Sequence, residues 1–432
     1  MKSKVFSTLL KNKLTTDAGT YMGFNILEKL VPFIVLPIIS RYLSKEDMGI
    51  YIVYQTFIAL LLPFISLNTD SAILINFFKL NNRNFKIYFF NALLVFSISF
   101  ILVVIIFLIW PNYLSNLLEF PQKWFAAVVL IVVFTYFVRL TLNLWQIEKK
   151  PIKYGIFSLT LTLLKGGLLL LFVVQLKKGW SGVIVSQLIA YSLMFLLSTI
   201  VLFYYRKIVS FSYNRLFIKD TLKVGVPLTL HQVGGWLGSQ SNRLIINILI
   251  GSAATGSFGI GAIYGTIVSV IQNAFNRAFT PYLFENLQRL NTKIRRKLVK
   301  LTYLYNISLV VFALFVGTIG FFINDYLFGK DYNSSKIFIF WMVLGNAFNG
   351  LYKMHVNYIF FTKKTIYILI ITLTLGVINV VLSYIFINLY GAVAGAIVFM
   401  LTQFFGYIAA WYFGNRLIPM PWFGNNTVYS NG

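Results

Sequence analysis

Twelve long, predominantly apolar stretches follow one another along this 432-residue chain, at approximately 20–40, 48–68, 86–109, 122–146, 154–176, 180–204, 223–249, 254–277, 300–323, 336–361, 365–388 and 390–414. Crossing roughly 30 Å of hydrocarbon takes about 20 helical residues, and each stretch is long enough. The stretches are continuously apolar rather than alternating over ten residues, so they imply helices and not barrel strands. The connections are too short to hold a folded extramembrane domain. Composition agrees: 58% of residues are hydrophobic and 11% charged, where a soluble domain is about one-quarter charged. The expected fold is an all-α polytopic membrane protein of about twelve spans. Pro32 and Pro37 in the first span and Pro227 in the seventh are expected to bend or break their helices, because proline removes a helix hydrogen bond.

Lys and Arg number 37 against 11 Asp and Glu, a net charge of +26. In a soluble chain that balance would point to nucleic acid. In a membrane protein, basic residues collect in cytoplasmic loops. If the N-terminus lies inside, cytoplasmic segments carry 24 of the basic residues and external segments 7. The expected placement is a bacterial inner membrane with both termini in the cytoplasm, and no nucleic-acid partner. Residues 1–18 are short, basic and polar with no cleavage site, which reads as the lead-in to a span rather than a removable signal peptide. There is no cysteine, hence no disulfide framework, thiolate nucleophile or Cys-ligated metal.

A repeat divides the chain. The segment Arg41-Tyr-Leu-Ser-Lys-Glu-Asp-Met-Gly-Ile-Tyr51 resembles Asn247-Ile-Leu-Ile-Gly-Ser-Ala-Ala-Thr-Gly-Ser-Phe258, and aligning Gly49 with Gly256 gives an offset of 207. Spans one to six then match spans seven to twelve. Six is even, so both halves begin on the same side, and the pseudo-twofold lies along the membrane normal. The expected organisation is an N-terminal six-helix lobe over 1–204, a basic cytoplasmic connection over 205–222 and a C-terminal six-helix lobe over 223–432. Parallel halves of this kind commonly flank one central cavity that opens alternately to each side.

The pattern Leu36-Pro-Ile-Ile-Ser-Arg-Tyr-Leu-Ser44 followed by Met48-Gly-Ile-Tyr51 resembles the polysaccharide repeat-unit flippases. So do Asn242-Arg-Leu-Ile-Ile-Asn247, Gly256 and Asn276-Arg-Ala-Phe-Thr-Pro281. These Wzx-type proteins belong to the superfamily of multidrug, oligosaccharidyl-lipid and polysaccharide exporters. The resemblance covers essentially the whole chain and rests on the ensemble of loose motifs. It implies a V-shaped, two-lobed fold, alternating access, and a substrate of oligosaccharide linked through pyrophosphate to undecaprenol. It also implies an association with polysaccharide polymerase machinery.

Charges inside spans are expensive and usually face a wet cavity, which makes each a functional candidate. The embedded basic residues are Lys29, Arg139, Lys165, Arg243, Arg277 and Lys353; Glu28 is the one acid clearly within a span. A cavity of that sign suits a polyanion, and arginine offers a pyrophosphate bidentate hydrogen bonds. Lys29, Arg139, Lys165, Arg243 and Lys353 are the candidate substrate-binding residues. Each also has a bland reading: snorkelling or a local pair for Lys29, close packing beside Gly166-Gly167 for Lys165, and interhelical hydrogen bonding for the polar stretch His231 to Asn247 around Arg243. Asp70 and Arg277 are equivalent under the 207 offset, and a salt bridge between them would close the two lobes on the inner side. Glu28 and His355 are candidates for ion coupling, His355 because imidazole titrates near neutrality.

Gly256, Gly259, Gly261 and Gly265 lack the strand context and Lys-Ser/Thr ending of a nucleotide loop and read as close helix contacts. No paired carboxylates, Ser-His-Asp order or metal-ligand cluster points to an enzyme, and no cofactor is expected. The leading expectation is a flippase. The alternatives are a multidrug or small-solute cation-coupled antiporter of the same fold, which would be favoured by buried acids. A membrane polysaccharide polymerase or ligase would call for a substantial external loop. A structural scaffold would not need so many embedded charges.

Overall fold

The computed structural model describes residues 13–422, of which fifteen segments are α-helices. The chain divides into two compact units, the first ending at Thr229 and the second beginning at Leu230.

The first unit contains α1 (Lys13–Ser40), α2 (Lys45–Ser66), α3 (Thr69–Phe77), α4 (Asn82–Ile109), the short α5 (Pro111–Leu118), α6 (Phe125–Ile147), α7 (Pro151–Leu169) and α8 (Gly179–Thr199). Helices α7 and α8 each run on into a wider π-helical turn, at Leu170–Gln175 and Ile200–Tyr205. Helix α9 (Arg215–Leu237) begins in the first unit and ends in the second, so the division falls further along the chain than the expected start of the second lobe at 223. The second unit continues with α10 (Ser241–Leu249), α11 (Ser252–Gln288), α12 (Thr292–Phe328), α13 (Lys336–Phe361), α14 (Ile366–Tyr390) and α15 (Ala392–Leu417).

Local sequence explains several helix starts. Ser44, Asn81 and Asn291 each accept a backbone N–H three residues on, at 2.9–3.0 Å, and so satisfy one of the free donors of α2, α4 and α12.

Ten helices among the described residues are long and apolar enough to cross a bilayer. The two expected spans that fall short are the seventh and the tenth. The seventh is broken into α9 and α10 at residues 238–240. The tenth, α13, is long enough but carries Asn346, Asn349, Lys353, His355 and Asn357. Both are interrupted by polarity, and both line the cavity described below.

The prolines do not break their helices: α1 continues through Pro32 and Pro37, and α9 through Pro227. One lost hydrogen bond per proline is tolerated where the turns on either side persist. The second span breaks instead where no proline stands, at Leu67 and Asn68, both left-handed with φ of 42° and 48°. Within the first unit the early part of α9 packs on that break. Gly225 lies against the Leu67 carbonyl, and Asn68 Nδ2 donates to Thr229 Oγ1 at 3.0 Å.

In the second unit α13 is the central helix, packed by α11, α12 and α15, with α14 packed on α15. Small residues set these approaches. A Cβ on Gly265 of α11 would stand 2.8 Å from the Met342 carbonyl of α13, and Gly261 meets Phe338 and the Ser335 carbonyl in the same way. The glycine run thus serves helix contact, as expected. Large apolar side chains such as Leu108, Ile307 and Leu389 stand exposed on the helices, the surface a bilayer would cover.

We predict that Gly265→Leu destabilises the protein by on the order of 1–3 kcal/mol through overpacking. Gly167, on α7, has nothing within 4 Å of an added Cβ. Gly167→Leu should leave detergent-solubilised thermal unfolding unchanged or raise it slightly. Equal effects of the two changes would contradict the packing described.

Candidate functional site

The second unit encloses a polar cavity of about 590 Å³, walled by α9, α11, α13, α14 and α15. Its polarity comes from one face of α13. Asn346, Asn349, Lys353 and Asn357 recur at three- and four-residue intervals, which stacks them along a single stripe. Helix α11 presents Ser269, Gln272, Asn273 and Asn276 opposite, at the same kind of spacing. The stripes meet in rungs. Ser269 Oγ donates to Asn346 Oδ1 at 2.6 Å, Gln272 Nε2 to Asn349 Oδ1 at 3.2 Å, Lys353 Nζ to Asn273 Oδ1 at 2.7 Å and Asn357 Nδ2 to Asn276 Oδ1 at 2.8 Å. A third helix joins when Asn349 Nδ2 donates to Gln403 Oε1 of α15 at 2.8 Å. Gln403 Nε2 in turn donates to the Gly238 carbonyl at the break after α9, at 3.0 Å.

That last bond shows how the break in the seventh span is accommodated. The freed carbonyls of the α9 end need donors where no water is assured, and side chains of the neighbouring helices supply them. Asn379 Nδ2 of α14 reaches the Leu237 carbonyl at 2.9 Å and Asn242 Oδ1 at 2.7 Å. Asn242 Nδ2 donates to the Gly395 carbonyl at 2.8 Å.

Among the described residues, two cations line this cavity, Arg277 and Lys353, and no carboxylate does. The charges act on each other. Lys353 is held by a neutral carboxamide oxygen rather than by an acid, so its charge is solvated but not cancelled. The cavity therefore offers amide and hydroxyl hydrogen bonds together with uncompensated positive charge, the equipment for a polyanion carrying hydroxyl groups.

The first unit has a polar cluster of its own. Asp70, 1% exposed in the first turn of α3, receives Arg139 Nε at 3.1 Å and Asn143 Nδ2 at 3.2 Å, both on its Oδ2. Oδ1 is buried without a hydrogen-bond partner. Beside it Thr69 Oγ1 and Tyr136 Oη share a hydrogen bond of 2.7 Å. The Arg139 side chain is 36% exposed, so Asp70 fixes one edge of the guanidinium while its surface remains open.

The other expected residues are placed as follows. Lys353 lines the cavity and so does Arg277. Asp70 has a counter-charge in Arg139, within its own unit. Lys165 packs its ammonium over the Tyr191 ring, 5.1 Å from the centroid, with the Tyr191 hydroxyl at 3.4 Å, so an aromatic face stabilises it. The adjacent Gly166 fits against Val31 and Val35 of α1, the close packing anticipated there, whereas Gly167 meets nothing within 4 Å. Lys29 is exposed on α1, and Glu28 is half-buried with Oε1 lacking a hydrogen-bond partner. Arg243 is partly buried on α10 with an unpaired Nε, outside the cavity lining. His355 is 2% exposed, boxed by Tyr358, Tyr407 and Trp422. It also lies outside the cavity lining, in an environment that suits a packed ring.

Sequence reasoning focused on charges and passed over the carboxamides. The available signal was the stripe Asn346, Asn349, Lys353, Asn357, whose period is visible in the sequence once α13 is taken as a helix. A second omission is Glu148. Arg206 grips it with two hydrogen bonds, of 2.5 and 2.9 Å, and Lys150 adds a third contact at 2.7 Å. Burial pushes this carboxyl up, but Arg206 and Lys150 together outweigh that and hold it below its usual range.

Comparison with known proteins follows this geometry. Residues 14–287 match the family described as "Polysaccharide biosynthesis protein". The chain is 26% identical over 362 residues to "Lsg locus putative protein 1" of Haemophilus influenzae, covering 82% of this chain and 86% of that one. It is 23% identical over 416 residues to "Capsular polysaccharide biosynthesis protein CapF" of Staphylococcus aureus, covering 91% and 97%. Among solved structures, an inward-facing multidrug resistance MATE family transporter of the MOP superfamily superposes with a TM-score of 0.71 at 17% identity, covering 90% of this chain and 94% of the other. A MOP superfamily transporter from Pyrococcus furiosus, described as having a binding pocket of reverse polarity, gives a TM-score of 0.63 at 15% identity, with 94% of each chain covered. The fold is thus that of these transporters.

The Glu148 cluster yields a pH prediction. Its folded carboxyl titrates below the unfolded value of 4.5. The stabilisation is therefore complete above that value and is lost as pH falls through the folded pKa. At pH 7, Glu148→Gln should destabilise the protein by on the order of 1 kcal/mol, as surface-type ion pairs do. Denaturant unfolding should show that difference shrinking below pH 4; a difference that grows in acid would refute the assignment.

Proposed function

This chain belongs to the polysaccharide biosynthesis protein family, and on that basis we propose that it is a flippase. In this reading it carries undecaprenyl-pyrophosphate-linked oligosaccharide repeat units from the cytoplasmic to the outer leaflet of a bacterial inner membrane, with both termini in the cytoplasm. The family membership supports a role in making polysaccharide. The likeness of fold to MOP transporters supports movement of a solute rather than covalent chemistry.

One observation carries the choice of cargo: among the described residues, the cavity of the second unit is lined by Arg277 and Lys353 and by no carboxylate. A pyrophosphate linker is an anion that both can contact, Arg277 with its planar pair of donors and Lys353 as a point charge. The carboxamides of Asn273, Asn276 and Asn349 supply donors and acceptors of the kind sugar hydroxyls need. Arg139 of the first unit, steadied by Asp70, adds a third cation with an open edge. The two units act as the lobes of an alternating-access cycle, the polar head crossing through the protein while most of the lipid tail stays in the bilayer. Lys29, Lys165 and Arg243 join as further cations along the route. Any association with polymerase machinery follows from the family role.

A cation-coupled drug antiporter of the same fold is the second reading, and Asp70 favours it as a buried acid with a free oxygen. The sign of the second-unit cavity weighs against a cationic drug.

The test is translocation of polyprenyl-pyrophosphate-linked oligosaccharide in proteoliposomes. Wild-type protein should move it. Arg277→Ala and Lys353→Ala should each slow the movement at least ~10-fold, the cost of losing one charge-assisted contact. Lys353→Arg should retain part of the rate. Unaffected translocation in both alanine variants, or export of cationic drugs in place of the lipid-linked sugar, would overturn the reading.

A further inference from the structure

A second cavity in the second unit, of about 330 Å³, has no assigned role. It is a groove between α14 and α15. Helix α14 contributes Leu375, Ile378, Leu382 and Phe386, at intervals of three and four residues, and hence one face. Helix α15 contributes Leu401 and Phe405 across from them. The groove follows α14 from Leu375 to Tyr390, beside the turn at Gly391, a run of about 22 Å at 1.5 Å per residue. Its lower end lies near the middle of both helices.

That lower end is where the groove meets the polar cavity. Leu375 and Thr402 line both. Gly406 lines the polar side of the junction, and an added Cβ there would stand 3.3 Å from Leu375 Cδ1. A cationic, carboxamide-lined chamber thus joins, across two shared side chains, a narrow channel of apolar ones. An amphiphile with an anionic head and one long hydrocarbon chain matches both compartments and the joint between them. A free sugar phosphate would leave the groove unused. A free hydrocarbon would leave the cations uncompensated.

We propose that the α14–α15 groove holds the proximal part of the polyprenyl chain of the substrate, while its pyrophosphate lies at Arg277 and Lys353. This deepens the flippase reading and rests on it. Two contributions follow. Burying branched isoprenoid units against Leu382, Phe386 and Phe405 contributes binding in proportion to the apolar area covered. The junction at Leu375 and Thr402 also fixes where chain ends and head begins, which selects lipid-linked over free oligosaccharide.

The experiment places a photo-crosslinking benzoyl-phenylalanine at Leu382, in the groove, or at Ile307, an exposed position on α12 that serves as the bulk-lipid control. Full-length protein in liposomes is illuminated with tritium-labelled polyprenyl pyrophosphate, and separately with a labelled saturated phospholipid. The same vesicles are assayed for translocation of the oligosaccharide-bearing lipid. The proposal expects at least about tenfold more polyprenyl labelling at Leu382 than at Ile307, with no such preference for the phospholipid. Leu401→Trp, at a side chain 41% exposed and so tolerant of size, should narrow the groove. It should cut the Leu382 labelling and the translocation rate together, without loss of helicity.

Gly406→Val should do the same by closing the junction. Equal labelling at the two positions, equal capture of phospholipid at Leu382, or an inert Leu401→Trp would each overturn the proposal. If translocation is robust while the groove goes unlabelled, the proposal fails and the flippase reading survives. If the groove is labelled preferentially by a protein that does not translocate, the flippase reading fails and the groove assignment holds.

Discussion

A polar group inside hydrocarbon must find its partner within the protein, because no water is there to supply one. That constraint organises the second unit. Helix α13 carries three asparagines, a lysine and a histidine along its length, and each polar stripe residue is met by a neighbour. Asn346 receives Ser269, Asn349 joins Gln272 to Gln403, Lys353 reaches Asn273, and Asn357 reaches Asn276. The neighbours must lie close, so Gly261 and Gly265 appear on the facing helix. The break after α9 depends on the same exchange, since its carbonyls are capped by Gln403 and Asn379. A leucine-lined α13 would pack as well and would have no use for these partners. The polar network therefore lines the cavity with hydrogen-bonding groups where apolar ones would have packed.

The same constraint separates the embedded charges by role. Asp70 and Arg139 settle one another inside the first unit, although Arg139 keeps an open edge. Lys165 is stabilised by aromatic faces and His355 by an aromatic box. Arg277 and Lys353 have no acid among the residues around them in the cavity. An uncompensated cation pair away from water is costly, and on the proposed reading a substrate anion would offset that cost. This is the physical reason the cavity, rather than any single residue, carries the functional argument.

The all-helical, membrane-spanning character was legible because length and hydrophobicity are summed over twenty residues and survive local exceptions, although ten of the twelve expected spans keep that apolar length. The glycine run on α11 was legible as packing for a related reason: its spacing points one face at a neighbour. The breaks were not legible. Pro32, Pro37 and Pro227 looked like the break points, yet the helices pass through them and break at Leu67-Asn68 and at 238–240. Tertiary partners, Thr229 at the first and Gln403 at the second, decide those positions, and partners do not show in a linear pattern. Lys353 and Arg277 were found by their charge. Asn273, Asn349 and Gln403 were missed because neutral amides are unremarkable singly and acquire meaning only as rungs between helices. The pairing of Asp70 with Arg139 was likewise not legible, because an offset between repeats identifies equivalent positions and says nothing of partners within one unit.

The central claim is that the cavity of the second unit is a receptor for a pyrophosphate-bearing amphiphile. It is tested most directly by equilibrium binding, apart from transport. Purified full-length protein in detergent would be titrated with a short-chain prenyl-pyrophosphate-linked sugar at low and high salt, alongside a variant carrying both Arg277→Gln and Lys353→Gln. The account predicts that the wild type binds with an affinity that weakens as salt rises, and that the double variant binds at least ~100-fold more weakly with little salt dependence, two charge-assisted contacts having been removed. Equal affinity in the two proteins, with the same response to salt, would contradict it.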